Sequence, residues 1–287
     1  MRTKLTLLNS MAGQEFDQAL EQHVAWGLTV LDLKDAIFGK RIAELTQDEA
    51  EQAANLIKAH NLSVHCLSTG LFFDEVERGE TEFRRRYLDK LDAVIDIANA
   101  LRPNFVRLLA ARTANRPEIA NSIPYINTHH SWLIPLYIEA IDRLHDAGFR
   151  VTIENEVGGC ILSTPTEILD FFASLDRPAK VCLTWDVQNL WQMGTYPTMA
   201  VYDQLKDLIG YYHLKGGQQK ADNTALHWRS SLADASWPVV EITRQVVVDG
   251  VSPVICLNPS HGKIKPGYDY ENIVQRDLDF IRREILG

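Results

Sequence analysis

The chain lacks most of the signatures that place a protein quickly. Its 287 residues include only four cysteines, Cys66, Cys160, Cys182 and Cys256, and no CxxC pair. Neither a disulfide framework nor a thiolate metal knuckle is therefore indicated. Three of the four lie in apolar runs, the setting of a buried free thiol. No stretch approaches the ~18 uninterrupted apolar residues of a spanning helix. The apolar run before Asn9 is too short for a signal-peptide core, so a cytoplasmic protein without disulfides is expected. There is no GxGxxG and no GxxxxGK(S/T), which removes the usual grounds for a nucleotide cofactor. Positive charge is also short, with Lys+Arg 29 against Asp+Glu 38 and a net charge of −9. A negative field repels phosphate backbones and anionic headgroups, so no nucleic acid and no membrane is expected as a partner.

What the chain does have is apolar material, 46% of its residues, arranged in a regular alternation. Short β-rich runs occur at 4–8, 28–33, 62–67, 105–109, 149–154, 180–186, 208–214 and 253–258. They are near-continuously apolar, as parallel strands buried on both faces must be. Helix-like segments lie between them. Residues 14–27 end at Gly27, and 46–60 open with Thr46 and carry Glu49 three positions later, a capping box. Residues 80–101 form the longest helical pattern, 163–175 begin Ser-Thr-Pro, and 271–285 close the chain. Eight strand-plus-helix units with no residual linker predict a single (β/α)8 TIM barrel over residues 1–287, since ~250 residues is typical of that fold.

Active-site groups of such barrels stand at the C-terminal ends of the strands. Here those ends carry Asn9, Asp32 with Lys34, Ser68 with Thr69, Arg107 with Arg112, Glu154 with Glu156, Asp186 with Gln188, His213 with Lys215, and Asn258. A charged group ending a buried strand must be paired, bound to metal or facing a wet cavity. Glu154, Asp186 and His213 come from three successive strands. Two oxygens and an imidazole suit a divalent ion such as Mn, Mg, Co or Zn.

The segments VTIENEVGG and STPTEILDF, then CLTWDVQN, YYHLKGG and the long stretch leading into VICLN, follow one another in an informative order. Together they resemble the strand-five to strand-eight region of the xylose-isomerase-like TIM barrels, the sugar isomerase and epimerase superfamily. That resemblance implies a metal site on Glu154, Asp186, His213 and Asn258, the last standing where the family usually has Glu. Asn189 stands where many members have His, and Glu156 where the family often has His. The family's epimerases are thought to move a proton between two glutamates. Asn258 cannot take a proton, so transfer by the usual pair of glutamates is not expected, and a one-base reaction stays open. The expected activity is proton abstraction next to a carbonyl of a sugar or keto-sugar, through an enediolate, by an isomerase or epimerase. A dehydratase or decarboxylase acting on a sugar acid or keto acid is the alternative, and a non-catalytic carbohydrate-binding barrel is a third. A DNA-repair barrel would need a His-rich multi-zinc site, which few histidines at strand ends and the charge of −9 argue against.

Candidate proton-handling groups are Glu154, Glu156, Lys215 and His261. Glu156 and Lys215 share the faces of Glu154 and His213 by strand alternation if the strands continue. His261, in NPSHG beyond strand eight, could stand in for the missing glutamate. Candidate substrate contacts are Lys34, Arg107, Gln188, Asn189 and Asn258, with Lys40, Arg112 and Arg116 as further cations near the mouth. Trp185, Trp191, Trp228 and Trp237 are candidates for an apolar wall against a sugar ring. NTHHSW (127–132) reads as a lid or a helix start, and RGETEFRRRYLDK (78–90) as a charged, solvated helix face. The resemblance also implies that the chain can pair as a homo-oligomer through its outer helices.

Overall fold

The eight apolar runs form one parallel sheet that curls on itself. The computed structural model describes residues 3–258 and 263–287. Its barrel strands are β1 (Lys4–Leu7), β2 (Val30–Leu33), β3 (Ser63–Ser68), β4 (Phe105–Leu109), β5 (Arg150–Glu154), β6 (Val181–Asp186), β7 (Ile209–Leu214) and β8 (Val254–Leu257). Seven ladders join them, from β2 through β7 in chain order, then β7 to β8 and β8 to β1. Between β1 and β2 the circle is completed by a parallel bridge of Leu8 with Asp32 and by Thr6 Oγ1 donating to Val30 O at 2.7 Å. The result is a nearly closed (β/α)8 barrel.

Alternation along the strands divides the core in two. Outward residues such as Leu183, Trp185 and Tyr212 join the large cluster beneath the helices. A smaller cluster of Leu8, Val30, Cys66, Phe105, Cys182, Tyr211, Val254 and Cys256 fills the barrel's lower interior. Above it the inward positions turn polar, and this is where the strand-end residues meet. Two β-bulges adjust the register, with His65 extra on β3 and Gly210 extra on β7. A Cβ on Gly210 would collide with Cys182 Sγ, so the barrel interior leaves room only for glycine there.

The helices follow local signals. Thr46 accepts from Glu49 N while the Glu49 carboxylate accepts from Thr46 N, capping helix 47–59 as its sequence predicts. Thr164 caps helix 165–175, with Pro165 in its first turn. The expected helix over 80–101 is interrupted. A short helix at 80–83 runs into a π-turn at 84–88, and regular helix resumes at 91–101. Ion pairs of Arg84 with Glu80 and Glu139, and of Arg86 with Glu82 and Asp74, tie this widened turn to its surroundings. NTHHSW spans the junction between two helices rather than a single helix start. Asn127–His129 end helix 122–129 and Trp132 caps helix 133–146. The segment from strand seven to strand eight also carries an antiparallel hairpin, Gln218–Gln219 with Leu226–Trp228, that the plain eight-unit pattern does not anticipate. Among the described residues no helix is long and apolar enough to cross a membrane.

The closing helix, 273–281, brings a carboxyl into this packing. Asp277 is buried and its Oδ1 accepts from Leu232 N at 2.8 Å. Burial raises its pKa from 3.8 to about 7. The folded chain therefore keeps a proton that the unfolded chain releases. Stability is greatest below pH 4 on this account and falls as pH rises through 7. A shift of this size corresponds to an upper bound of about 4 kcal/mol. Asp277→Asn keeps the acceptor and removes the ionisation, so it is expected to unfold at higher urea than wild type at pH 8 and to keep less than half of that advantage at pH 5. Equal shifts at both pH values would contradict this.

Candidate metal centre

Each polar group at the mouth is placed by an apolar strand whose alternate residues face helices. On β5, Val151 and Ile153 point outward and Thr152 and Glu154 inward; on β6, Leu183 and Trp185 alternate with Thr184 and Asp186. On β7 the inward series is Tyr211, His213 and, one step past the strand, Lys215. The Asp186 side chain is further fixed as the N-cap of helix 187–192, accepting from Asn189 N at 2.9 Å. Asn155 brackets the Asp186 backbone, accepting from its N–H and donating to its carbonyl, both at 2.9 Å. Asn155 is a contributor that sequence reasoning passes over. Its signal was the unusual Glu-Asn ending of an apolar strand.

Glu154, Asp186 and His213 converge, with ligand atoms all within 4.8 Å of one another. His213 Nδ1 lies 3.1 Å from Glu154 Oε1 and 3.8 Å from Asp186 Oδ2. Two ligands held at ~2.1 Å from one ion and about 90° apart stand ~3 Å from each other, so these separations suit a shared cation. Among the described residues neither ring nitrogen of His213 is in hydrogen-bond geometry with a partner, while Asp186 Oδ2 is met by Lys215 Nζ at 2.6 Å. A buried ring nitrogen left this way is costly, and an ion at the focus of the three side chains would satisfy Nδ1. The residues fit a divalent metal. Asn258, 3% exposed, follows β8 and donates its N–H to Leu214 O at 3.0 Å, which sets it beside the end of β7.

Two buried cations of the chain also face this cluster. Arg107 pairs with Glu154 and donates from Nη2 to the carbonyls of Ser68 and Thr69, each at 3.2 Å. Lys215 Nζ lies 2.6 Å from Asp186 Oδ2 and donates to Asn189 Oδ1 at 2.9 Å. Burial opposes ionisation of Glu154, but Arg107 and His213 hold its carboxyl well below the usual carboxylate range. Asp186 goes the other way, because burial and the charge of Glu154 outweigh the help of Lys215. For His213, burial works against the charged ring, but Glu154, Cys256 and Asp32 raise its pKa well above the ordinary value. Asp32, Glu154 and Asp186 set three buried carboxylates against Arg107 and Lys215, an excess of one negative charge. A proton on His213 or a cation in the cluster relieves it.

Other expected contacts are placed differently. Glu156 lies past the end of β5, half-buried, and burial together with Glu154 pushes its carboxyl upward. Arg107 turns inward to Glu154 rather than toward an open surface. Gln188 Nε2 donates to Gly216 O, and Asn189 Nδ2 donates to Asn155 O at 3.2 Å, so both amides brace the loops around Lys215. Lys34 is half-buried, its N–H donating to Asn9 Oδ1 at 2.7 Å. Lys40 and Arg116 are engaged by Glu49 and Glu167, and Arg112 lies over Phe73. Trp185, Trp191 and Trp237 are core residues, leaving Trp228, packed on Tyr268 and under Lys265, as the tryptophan of the four that stands outside it. His261 lies outside the described residues. A cavity of about 550 Å³ opens at the opposite end of the barrel, at the strand starts around Phe105, Arg150 and Gly210, and shares no residue with the cluster.

The family model described as xylose isomerase-like TIM barrel matches residues 21–284. No curated protein matches the chain by sequence. Solved structures with the same fold include a xylose isomerase-like TIM barrel protein from Mycobacterium smegmatis in complex with magnesium, 15% identical, with TM-score 0.71 and coverage of 99% of this chain and 96% of that one. A probable 3-DHS dehydratase involved in petrobactin synthesis from Bacillus anthracis is 15% identical, with TM-score 0.73 and coverage of 98% and 99%. A 3-keto-D-glucoside 4-epimerase from E. coli is 12% identical, with TM-score 0.72 and coverage of 98% and 99%. At these identities the likeness establishes the fold.

Proposed function

We propose, on the premise that this chain belongs to the xylose isomerase-like TIM barrel family, that it is a metal-dependent isomerase or epimerase of a small sugar or keto-sugar. The observation that carries the reading is the convergence of Glu154, Asp186 and His213, with His213 Nδ1 turned toward both carboxylates and outside hydrogen-bond geometry. These three residues, with the Asn258 side-chain oxygen as a fourth donor, would hold the ion. A divalent ion held there would supply Lewis acidity toward a substrate carbonyl, which would make the adjacent C–H more acidic. Proton transfer then falls to the chain's own groups. Glu156, half-buried beside the cluster and raised in pKa, is suited to take and return a proton near neutral pH. Lys215, held by Asp186 and Asn189, is suited to hold a developing oxyanion or to carry the second proton. Arg107 keeps Glu154 ionised and oriented. Lys34, Gln188, Asn189 and Asn258 remain candidates for substrate hydroxyls.

The amide at position 258 favours one second reading. With no carboxylate on strand eight to reprotonate the opposite face, expulsion of a β-hydroxyl after proton abstraction becomes a competing outcome for a sugar acid, and loss of CO₂ from a keto acid, which needs no proton abstraction, is another route to the same enediolate. The Bacillus anthracis dehydratase shows that this fold also hosts a protein described as a lyase.

The test is metal content by plasma mass spectrometry on protein purified without chelator, for wild type and His213→Ala, followed by incubation with ketoses and keto acids in D₂O. Near-stoichiometric metal lost in the variant, with deuterium entering a product of unchanged carbon and oxygen count, is expected. A product short of water or CO₂ would move the assignment to the lyase. No metal even after Mn²⁺ is added, and no turnover, would leave a binding barrel.

A further inference from the structure

Below the three converging ligands, His213 presents its other nitrogen to a second carboxylate. Nε2 lies 3.4 Å from Asp32 Oδ2, and both side chains are fully buried. Asp32 is itself held from two further strands. Ser68 Oγ on β3 donates to Oδ1, and Tyr211 Oη on β7 donates to Oδ2 at 2.7 Å. The Tyr211 ring stands edge-on to the His213 ring, with centroids 4.7 Å apart, which restricts rotation of the imidazole. The parallel bridge of Leu8 with Asp32 places this carboxylate at the seam where the barrel closes, so its position is tied to closure itself.

From this geometry we infer that Asp32 is the positioning residue of the metal centre. Its Oδ2, 3.4 Å from Nε2 though outside hydrogen-bond geometry, favours a proton on that nitrogen and thereby commits Nδ1 to face Glu154 and Asp186. An imidazole has one proton to place when neutral, and a carboxylate at Nε2 holds that proton there and leaves the Nδ1 lone pair free for a cation. Ligating histidines that lose such a partner bind their metal about 10–100-fold more weakly. Asp32 touches neither the focus of the three ligands nor a substrate, so its effect runs through His213. Cys256, which with Asp32 and His213 forms the other buried group of ligand-type atoms, lies in the lower interior beside the same imidazole. This inference rests on the metal reading given above.

The experiment is titration of the full-length protein with Co²⁺, following the visible spectrum, for wild type, Asp32→Asn and Ser68→Ala. Asp32→Asn is expected to weaken Co²⁺ binding about 10–100-fold, while Ser68→Ala, which leaves the carboxylate facing His213, changes it less than about threefold. A folded Asp32→Asn protein that binds Co²⁺ like wild type overturns the inference. So that it stands independently of whether the variant folds, ¹⁵N-histidine NMR of the Zn²⁺-loaded wild type supplies a second reading. His213 is expected with Nδ1 on the metal and a protonated Nε2, and metal on Nε2 would overturn it. Wild type that binds neither ion removes the metal centre itself, an outcome seen before any variant is compared.

Discussion

Arg107→Met is expected to destabilise the folded protein by about 3–5 kcal/mol, the cost of breaking a buried ion pair by removing one partner. The side chains of Arg107 and Glu154 are 3% and 2% exposed, so water cannot replace the guanidinium once it is gone. The two carbonyls that Arg107 satisfies, of Ser68 and Thr69, would also lose a donor. The double variant Arg107→Met/Glu154→Gln should recover much of the loss, because no charge is then stranded. Adding Mn²⁺ should restabilise Arg107→Met more than wild type, since a cation binding the folded state alone shifts the equilibrium toward it. Urea unfolding of the three proteins with and without Mn²⁺ measures all of this. A single variant within 1 kcal/mol of wild type would show that Glu154 finds another partner, and would weaken the view of Arg107 as its counter-ion.

Lys215→Met is expected to cut turnover by about 10²–10⁴-fold, the usual contribution of a positioned proton donor or acceptor, while metal stoichiometry is retained. Its ammonium contacts one proposed ligand, Asp186, and one amide, Asn189, and both remain when it is removed. In the metal-free protein the substitution leaves Asp186 with less compensation, so the apo form should lose stability that Mn²⁺ restores. Deuterium incorporation from D₂O at saturating substrate provides the rate, and plasma mass spectrometry the stoichiometry. A variant that keeps turnover within threefold of wild type would confine Lys215 to neutralising Asp186. A variant that loses its metal would make it part of the ligand scaffold rather than of proton transfer.

The positions of the barrel strands were legible because each is a short, nearly continuous apolar run that ends in a polar group. Burial on both faces demands the first, and the mouth of the barrel demands the second. Expected and observed limits agree within a residue or two, for example 180–186 against Val181–Asp186. Thr46 with Glu49 and Thr164 with Pro165 announced their helices for a local reason, since the cap and the helix it closes are adjacent in sequence. The interruption at 84–88 was not legible. Phe83, Tyr87, Leu91 and Val94 keep a helical spacing across it in the sequence, so periodicity gave no sign of the widened turn. The hairpin at 218–228 escaped for the opposite reason, because its strands, of two and three residues, are too short to establish an alternation.

For the candidate site, the chain by itself determined which chemical groups stand at the strand ends, Glu154, Asp186, His213, Lys215 and Arg107 among them. Apolar alternation leaves those groups only one way to face. Which of them meet was decided by the tertiary structure alone. Arg107 reaches Glu154 across 47 residues of chain and Tyr211 reaches Asp32 across 179. Asp32 becomes part of the His213 environment only because β1 and β2 close the circle. Side-chain identity is carried by each residue, but a pairing between strands depends on the register of every ladder between them and on the bulges at His65 and Gly210 that shift it. No local pattern encodes that sum.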